Sequence, residues 1–199
     1  MLKTQVFLNI NLGVILMKIP TMLTLMRLAI IPFIILFYYI PFHSMRIAVA
    51  ILFILACLTD WLDGYLARKL NQTTRFGAFL DPVVDKIIVA VALVLLVSDP
   101  RLPYLVIPVA VIICREIAIS ALREWMAEIG KRTSIAVSFM GKVKTTIQMI
   151  AVIALLACNP ANPNWVMYVG YILLYVAAIL TIWSMGIYLR AAWPNFELK

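Results

Sequence analysis

Acidic side chains are scarce in this chain: 9 Asp and Glu stand against 17 Lys and Arg in 199 residues. Charged residues of both signs make up only 13%, about half of what a water-soluble domain carries. Histidine occurs once, as His43, in a predicted 41–46 loop where a structural or solvated role is expected. The three cysteines, Cys57, Cys114 and Cys158, lie in apolar segments without CxxC spacing, as expected of inert buried thiols rather than disulfides or metal ligands. No internal repeat or low-complexity segment is present, and the chain is too short for a second domain. What abounds is apolar: 65% hydrophobic residues and a mean hydropathy of +1.04 describe a polytopic membrane protein.

The apolar segments predict six spans, at about 21–42, 46–67, 77–98, 103–125, 137–158 and 164–188. The net charge of +8 does not point to nucleic acid, because of where the charge falls. With both termini in the cytoplasm, all of the 17 Lys and Arg except Arg46 and Arg101 lie on or toward the cytoplasmic side. The connection Asn159-Pro-Ala-Asn-Pro-Asn164, on the opposite side, is uncharged. Basic residues beside a membrane also attract anionic lipids and substrates. Residues 1–18 are expected to form an N-terminal extension or interfacial helix, ahead of one membrane domain over 19–199. Val6 to Met17 has the length of a signal-peptide core, but Lys18 interrupts it and no small-residue cleavage site follows. Met17 offers an alternative start, which would make residues 1–16 an extension.

Four of the few acidic residues, Asp60, Asp63, Asp81 and Asp85, crowd into one window. At mid-bilayer, four carboxylates would cost roughly 10–14 kcal/mol before their mutual repulsion. Such a cluster needs a cationic partner, and a pair of divalent metal ions meets that need. At about 100° per residue, Asp60, Asp63, Gly64 and Ala67 share one helical face. Gly77, Asp81 and Asp85 form an i, i+4, i+8 stripe on the next span. The polar segment between, Lys69 to Phe76, is short enough to make the two spans antiparallel neighbours with their carboxylates near the cytoplasmic end. Oxygen ligands without His or Cys favour Mg²⁺ or Mn²⁺. Gly64, Ala67 and Gly77 leave room for a ligand, and Arg68 can pair with a phosphate, which together suggest a nucleotide-diphosphate site. Each feature has a plainer reading as well: carboxylates in ion pathways, small residues in helix packing, Arg68 and Lys69 as cytoplasmic anchors.

A second constellation is basic. Arg115 and Arg123 stand eight residues apart, about 80° around a helix and two turns along it. Lys131, Arg132, Lys142 and Lys144 follow. Arg115 lies deep in an apolar segment, where a mere anchor is expensive, whereas the others are also explained as cytoplasmic anchors.

The full window resembles the signature of the CDP-alcohol phosphatidyltransferase family, D-x2-D-G-x2-A-R-x8-G-x3-D-x3-D. Asp60, Asp63, Gly64, Ala67, Arg68, Gly77, Asp81 and Asp85 fill every fixed position at the right spacing. The resemblance implies an all-α integral membrane fold of six transmembrane helices with a cytoplasm-facing polar cavity, usually a homodimer. It implies two divalent metals, Mg²⁺ or Mn²⁺, held by Asp60, Asp63, Asp81 and Asp85, and a CDP-linked lipid as donor. It assigns Asp85 to deprotonation of the attacking hydroxyl, and Thr74 to a position near the nucleotide phosphates. Asp63, Gly64, Ala67, Arg68, Thr74 and Gly77 are then the expected contacts of CDP-diacylglycerol.

Ile19-Pro-Thr21-x2-Thr24-x2-Arg27, RE-x5-LREW from Arg115, GKR at Gly130 and GKVKTT-x-Q from Gly141 resemble the bacterial branch of that family whose acceptor is sn-glycerol 3-phosphate. Lys18 departs from the Asn that branch commonly has there. The likeness implies transfer of a phosphatidyl group to that acceptor with release of CMP, in a bacterial inner membrane. Arg115, Arg123, Lys142 and Lys144 become the expected acceptor-phosphate contacts. Histidine-nucleophile transferases use an HxK pattern, and His43 is followed by Ser44 and Met45, so direct attack is expected over a covalent intermediate. Inositol phosphate as acceptor, or a cation transporter built on the same carboxylates, are the competing readings.

Overall fold

The computed structural model describes residues 19–70, 75–130 and 139–193. Six helices account for nearly all of them: α1 (Ile19–Tyr39), α2 (His43–Leu70), α3 (Arg75–Ser98), α4 (Val106–Glu128), α5 (Phe139–Ala157) and α6 (Trp165–Ala192). No strand occurs among the described residues. In a lipid environment this is the economical solution, because a helix bonds its own N–H and C=O groups. The 1–18 segment, Thr74, Lys131 and Arg132 lie outside the described residues.

Each helix overlaps one of the predicted apolar segments, and the boundaries move for local reasons. α1 ends at Tyr39 rather than 42 because Pro41 disfavours helical geometry in the residue before it. His43 is the first residue of α2 rather than part of a loop. α4 begins at Val106 instead of 103, since Pro103 and Tyr104 form a turn in which Tyr104 takes φ 66°. It ends where Gly130 adopts φ 73° and its N–H bonds back to the Ala127 carbonyl at 3.2 Å. α6 starts after Asn164, whose side chain accepts from the Met167 N–H at 3.1 Å, a helix N-cap.

The chain divides into two compact units, Met1–Ala92 and Leu93–Lys199. In the first, α1 packs along α2. Ile31, Ile34, Val49, Phe53, Ala56, Val84 and Ile88 are buried there. In the second, α6 packs against both α5 and α4. Gly170 permits the close α5–α6 approach, because a Cβ there would stand 2.9 Å from Leu155 Cγ and 3.3 Å from Ala154 Cβ. Farther along α6, Tyr188 and Ala192 form a cluster with Ile119 and Met126 of α4.

Among the described residues, two helices, over Thr21–Tyr39 and Trp165–Ala192, are long and apolar enough to cross a membrane. Only 33% of either apolar window is buried within the protein, unlike the core helix of a soluble domain. Phe33, Leu36, Ile172, Ile179 and Trp183 point outward instead, as side chains facing lipid do. The other four helices carry the charges of the two constellations, which interrupt their apolar character.

Candidate active site

Three carboxylates of the acidic window converge in the first unit, and their meeting point is an arginine from another helix. Arg27 on α1 donates from Nη1 to Asp60 Oδ1 on α2 at 2.8 Å. The same nitrogen pairs with Asp85 Oδ1 on α3, and Nη2 lies 3.9 Å from Asp81 Oδ1. Thr24, one helical turn before Arg27 and so on its face, donates its hydroxyl to Asp81. Asp81 and Asp85 are four apart on α3 and share a face for the same reason. Pro82 between them removes one backbone donor, so the α3 hydrogen-bond ladder is interrupted at the site. Asp63, Gly64, Ala67 and Arg68 continue α2 beyond Asp60, and Gly77 is buried near the start of α3.

Burial within the cluster is one-sided. The Arg27 side chain is 1% exposed, whereas those of Asp60, Asp81 and Asp85 are 46%, 37% and 38% exposed. The guanidinium closes the inner side and the carboxylates stay open on the other. No three His, Cys, Asp or Glu among the described residues close into a ready-made metal cage. The set nevertheless suits a hard divalent cation in kind and in charge. All donors are carboxylate oxygens, and one guanidinium leaves an excess of two negative charges before Asp63 is counted.

The basic constellation gathers in the second unit around Glu116 and Tyr188. Lys144 of α5 is fully buried and donates from Nζ to Glu116 Oε1 at 2.5 Å. Arg115 reaches the same oxygen at 3.3 Å, donates to Ser184 Oγ on α6 at 3.0 Å, and lies 5.5 Å above the Tyr188 ring. Arg123, two turns on, donates to the Tyr188 hydroxyl at 3.1 Å with its guanidinium 5.2 Å from the ring centre. Three of the four predicted acceptor contacts are thus brought together; Lys142 is placed only as a position on α5. Arg115 is 7% exposed and Lys144 0%, so neither is a topology anchor with its head in water. Three cations against one carboxylate leave this group with two positive charges in excess.

Thr24 and Arg27 stand out in the sequence only through a motif likeness, which assigns neither to the site. The available signal was a lone arginine in an otherwise apolar span, which demands a counter-charge. Glu116 could have been suspected from its place beside Arg115. Ser184 and Tyr188, more than sixty residues away in sequence, gave no sign.

The class of enzyme to which these helices and this carboxylate cluster belong follows from comparison with known proteins. The family model for CDP-alcohol phosphatidyltransferase matches residues 17–183. The chain belongs to that family and is a phosphatidyltransferase of phospholipid biosynthesis. Among its relatives, a protein of Shigella flexneri serotype 5b is 56% identical over 176 residues, covering 88% of this chain and 94% of the relative. One from Yersinia enterocolitica is 54% identical over 179 residues, 90% of this chain and 97% of its own length. One from Salmonella typhi is 55% identical over 176 residues, 88% of this chain and 94% of its own length. All three are named CDP-diacylglycerol–glycerol-3-phosphate 3-phosphatidyltransferase.

Proposed function

We propose that this enzyme transfers the phosphatidyl group of CDP-diacylglycerol to the primary hydroxyl of sn-glycerol 3-phosphate, giving phosphatidylglycerophosphate and CMP. The observation that carries the choice of acceptor is the burial of Arg115 and Lys144 around Glu116, with Arg123 beside them on Tyr188. An excess of two positive charges suits a phosphate dianion and has no use with choline, ethanolamine or serine. The names of the relatives, at 54–56% identity over nearly the whole chain, support the same substrates.

The acceptor hydroxyl attacks the phosphatidyl phosphorus, a new P–O bond forms, and the bond to CMP breaks. Asp85 accepts the hydroxyl proton. Arg68 and Thr74 bind the nucleotide phosphates, while Asp63, Gly64, Ala67 and Gly77 shape the place of the cytidine diphosphate. Arg115, Arg123, Lys142 and Lys144 hold the acceptor phosphate and so orient its hydroxyl for direct attack. Two divalent ions, Mg²⁺ or Mn²⁺, held by Asp60, Asp63, Asp81 and Asp85, would supply charge stabilisation at the diphosphate. The enzyme works in the bacterial inner membrane as a homodimer of six-span protomers, both termini and the polar cavity facing the cytoplasm.

Release of CMP from CDP-diacylglycerol, measured with a panel of acceptors, tests this reading. Glycerol 3-phosphate should serve, glycerol, inositol and inositol phosphate should not, and EDTA should abolish turnover until Mg²⁺ or Mn²⁺ is restored. Equal use of glycerol or inositol phosphate would refute the acceptor assignment, and full activity in chelator would refute the metal requirement.

A further inference from the structure

We propose that Arg27 is the positioning residue of the carboxylate cluster: a cation built into the fold that sets the geometry of Asp60, Asp81 and Asp85 and restrains their affinity for divalent ions. This rests on the reading of those aspartates as metal ligands. Its basis is the placement of one guanidinium against carboxylates from two other helices. At 1% exposure Arg27 cannot be an interfacial anchor, since such arginines keep their heads in water. The planar fork of donors lets one side chain reach several oxygens in fixed directions, which a lysine ammonium does not do. Thr24 on the same face of α1 adds a further bond, to Asp81, so α1 acts as the template against which α2 and α3 present their acids.

The charge of Arg27 opposes that of an incoming cation. If the guanidinium stays beside the bound ions, it repels them. If it turns aside, its ion pairs must first be given up. In both cases its removal strengthens metal binding, while the carboxylates lose the template that aligns them. Tighter metal binding combined with slower turnover is therefore the signature of this role. A general loosening of the fold would weaken both.

The test uses the full-length protein in detergent as wild type, Arg27→Met and Arg27→Lys. Mn²⁺ binding is followed by loss of the free-ion electron paramagnetic resonance signal, and CMP release is measured at saturating Mn²⁺. Arg27→Met should bind Mn²⁺ at least about tenfold more tightly, as expected for removing a unit charge a few ångströms from the ion, and turn over at least about tenfold more slowly. Arg27→Lys should keep Mn²⁺ affinity within about threefold of wild type, because the charge remains, yet still lose turnover, because the fork is gone. It alone decides the matter if the methionine variant does not fold. Weaker Mn²⁺ binding by Arg27→Met, or wild-type turnover in Arg27→Lys, overturns the proposal while leaving the metal reading intact. A wild-type protein that binds no Mn²⁺ overturns both.

Discussion

Replacing Lys144 with Met removes one buried cation from the group around Glu116 and separates acceptor binding from folding. Methionine keeps most of the length of the lysine stem, so packing on α5 changes little. Loss of one charged hydrogen bond to the acceptor phosphate is worth about 1.5–3 kcal/mol, or roughly a 10- to 150-fold rise in KM for glycerol 3-phosphate. The substitution also leaves Glu116 without its 2.5 Å partner. Breaking a fully buried pair costs about 3–5 kcal/mol. The Glu116 side chain, however, is 29% exposed and keeps Arg115 at 3.3 Å, so the stability loss should be nearer 1–2 kcal/mol. Adding Glu116→Gln removes the carboxylate charge that Lys144 had helped to balance and should recover most of that loss without recovering acceptor affinity. The assay is CMP release with glycerol 3-phosphate varied at saturating CDP-diacylglycerol and then the reverse, alongside thermal melting in detergent. An unchanged KM for glycerol 3-phosphate per folded molecule would refute the acceptor role of Lys144. An equal rise in both KM values would show instead that the substitution distorts the protein as a whole.

Asp85→Asn should retain CDP-diacylglycerol binding with turnover reduced by orders of magnitude, since a proton acceptor acts on the attacking hydroxyl more than on the donor; recovery of rate at saturating lipid would remove Asp85 from that role. Gly170→Ala should lower stability by about 1–3 kcal/mol and the melting temperature accordingly, because the new methyl meets the fully buried Leu155. Gly186→Ala on the same helix, where an added Cβ would meet nothing within 4 Å, should melt at or slightly above the wild-type temperature.

The helices were readable in the sequence because lipid makes long apolar runs nearly synonymous with helix. Their ends were less so. The α4 start depends on the Tyr104 turn and the α6 start on the Asn164 cap, both local geometries that an apolar count passes over. The acidic window announced itself through spacing, since i, i+3 and i+4 repeats place residues on one face wherever the helix lies. Arg27 did not, because its meaning lies in which helix packs beside α1. The same holds for Tyr188, which brings Arg115 and Arg123 onto one ring although neither spacing nor composition links it to them. Periodicity reports which residues share a helix face; it is silent about the face opposite.

The turn before α4 ties distant positions into a shared history. Tyr104 holds a left-handed backbone conformation that glycine adopts freely and tyrosine does not. The Tyr175 hydroxyl donates to the Tyr104 carbonyl at 2.7 Å, and the Tyr171 hydroxyl to that of Pro103 at 3.1 Å. The hydroxyl at 175 matters most while residue 104 has a side chain; with glycine at 104 the turn would stand unaided and Tyr175→Phe would become nearly neutral. The order in which two such substitutions arise would therefore decide whether either is tolerated, a case of epistasis across 71 residues of sequence.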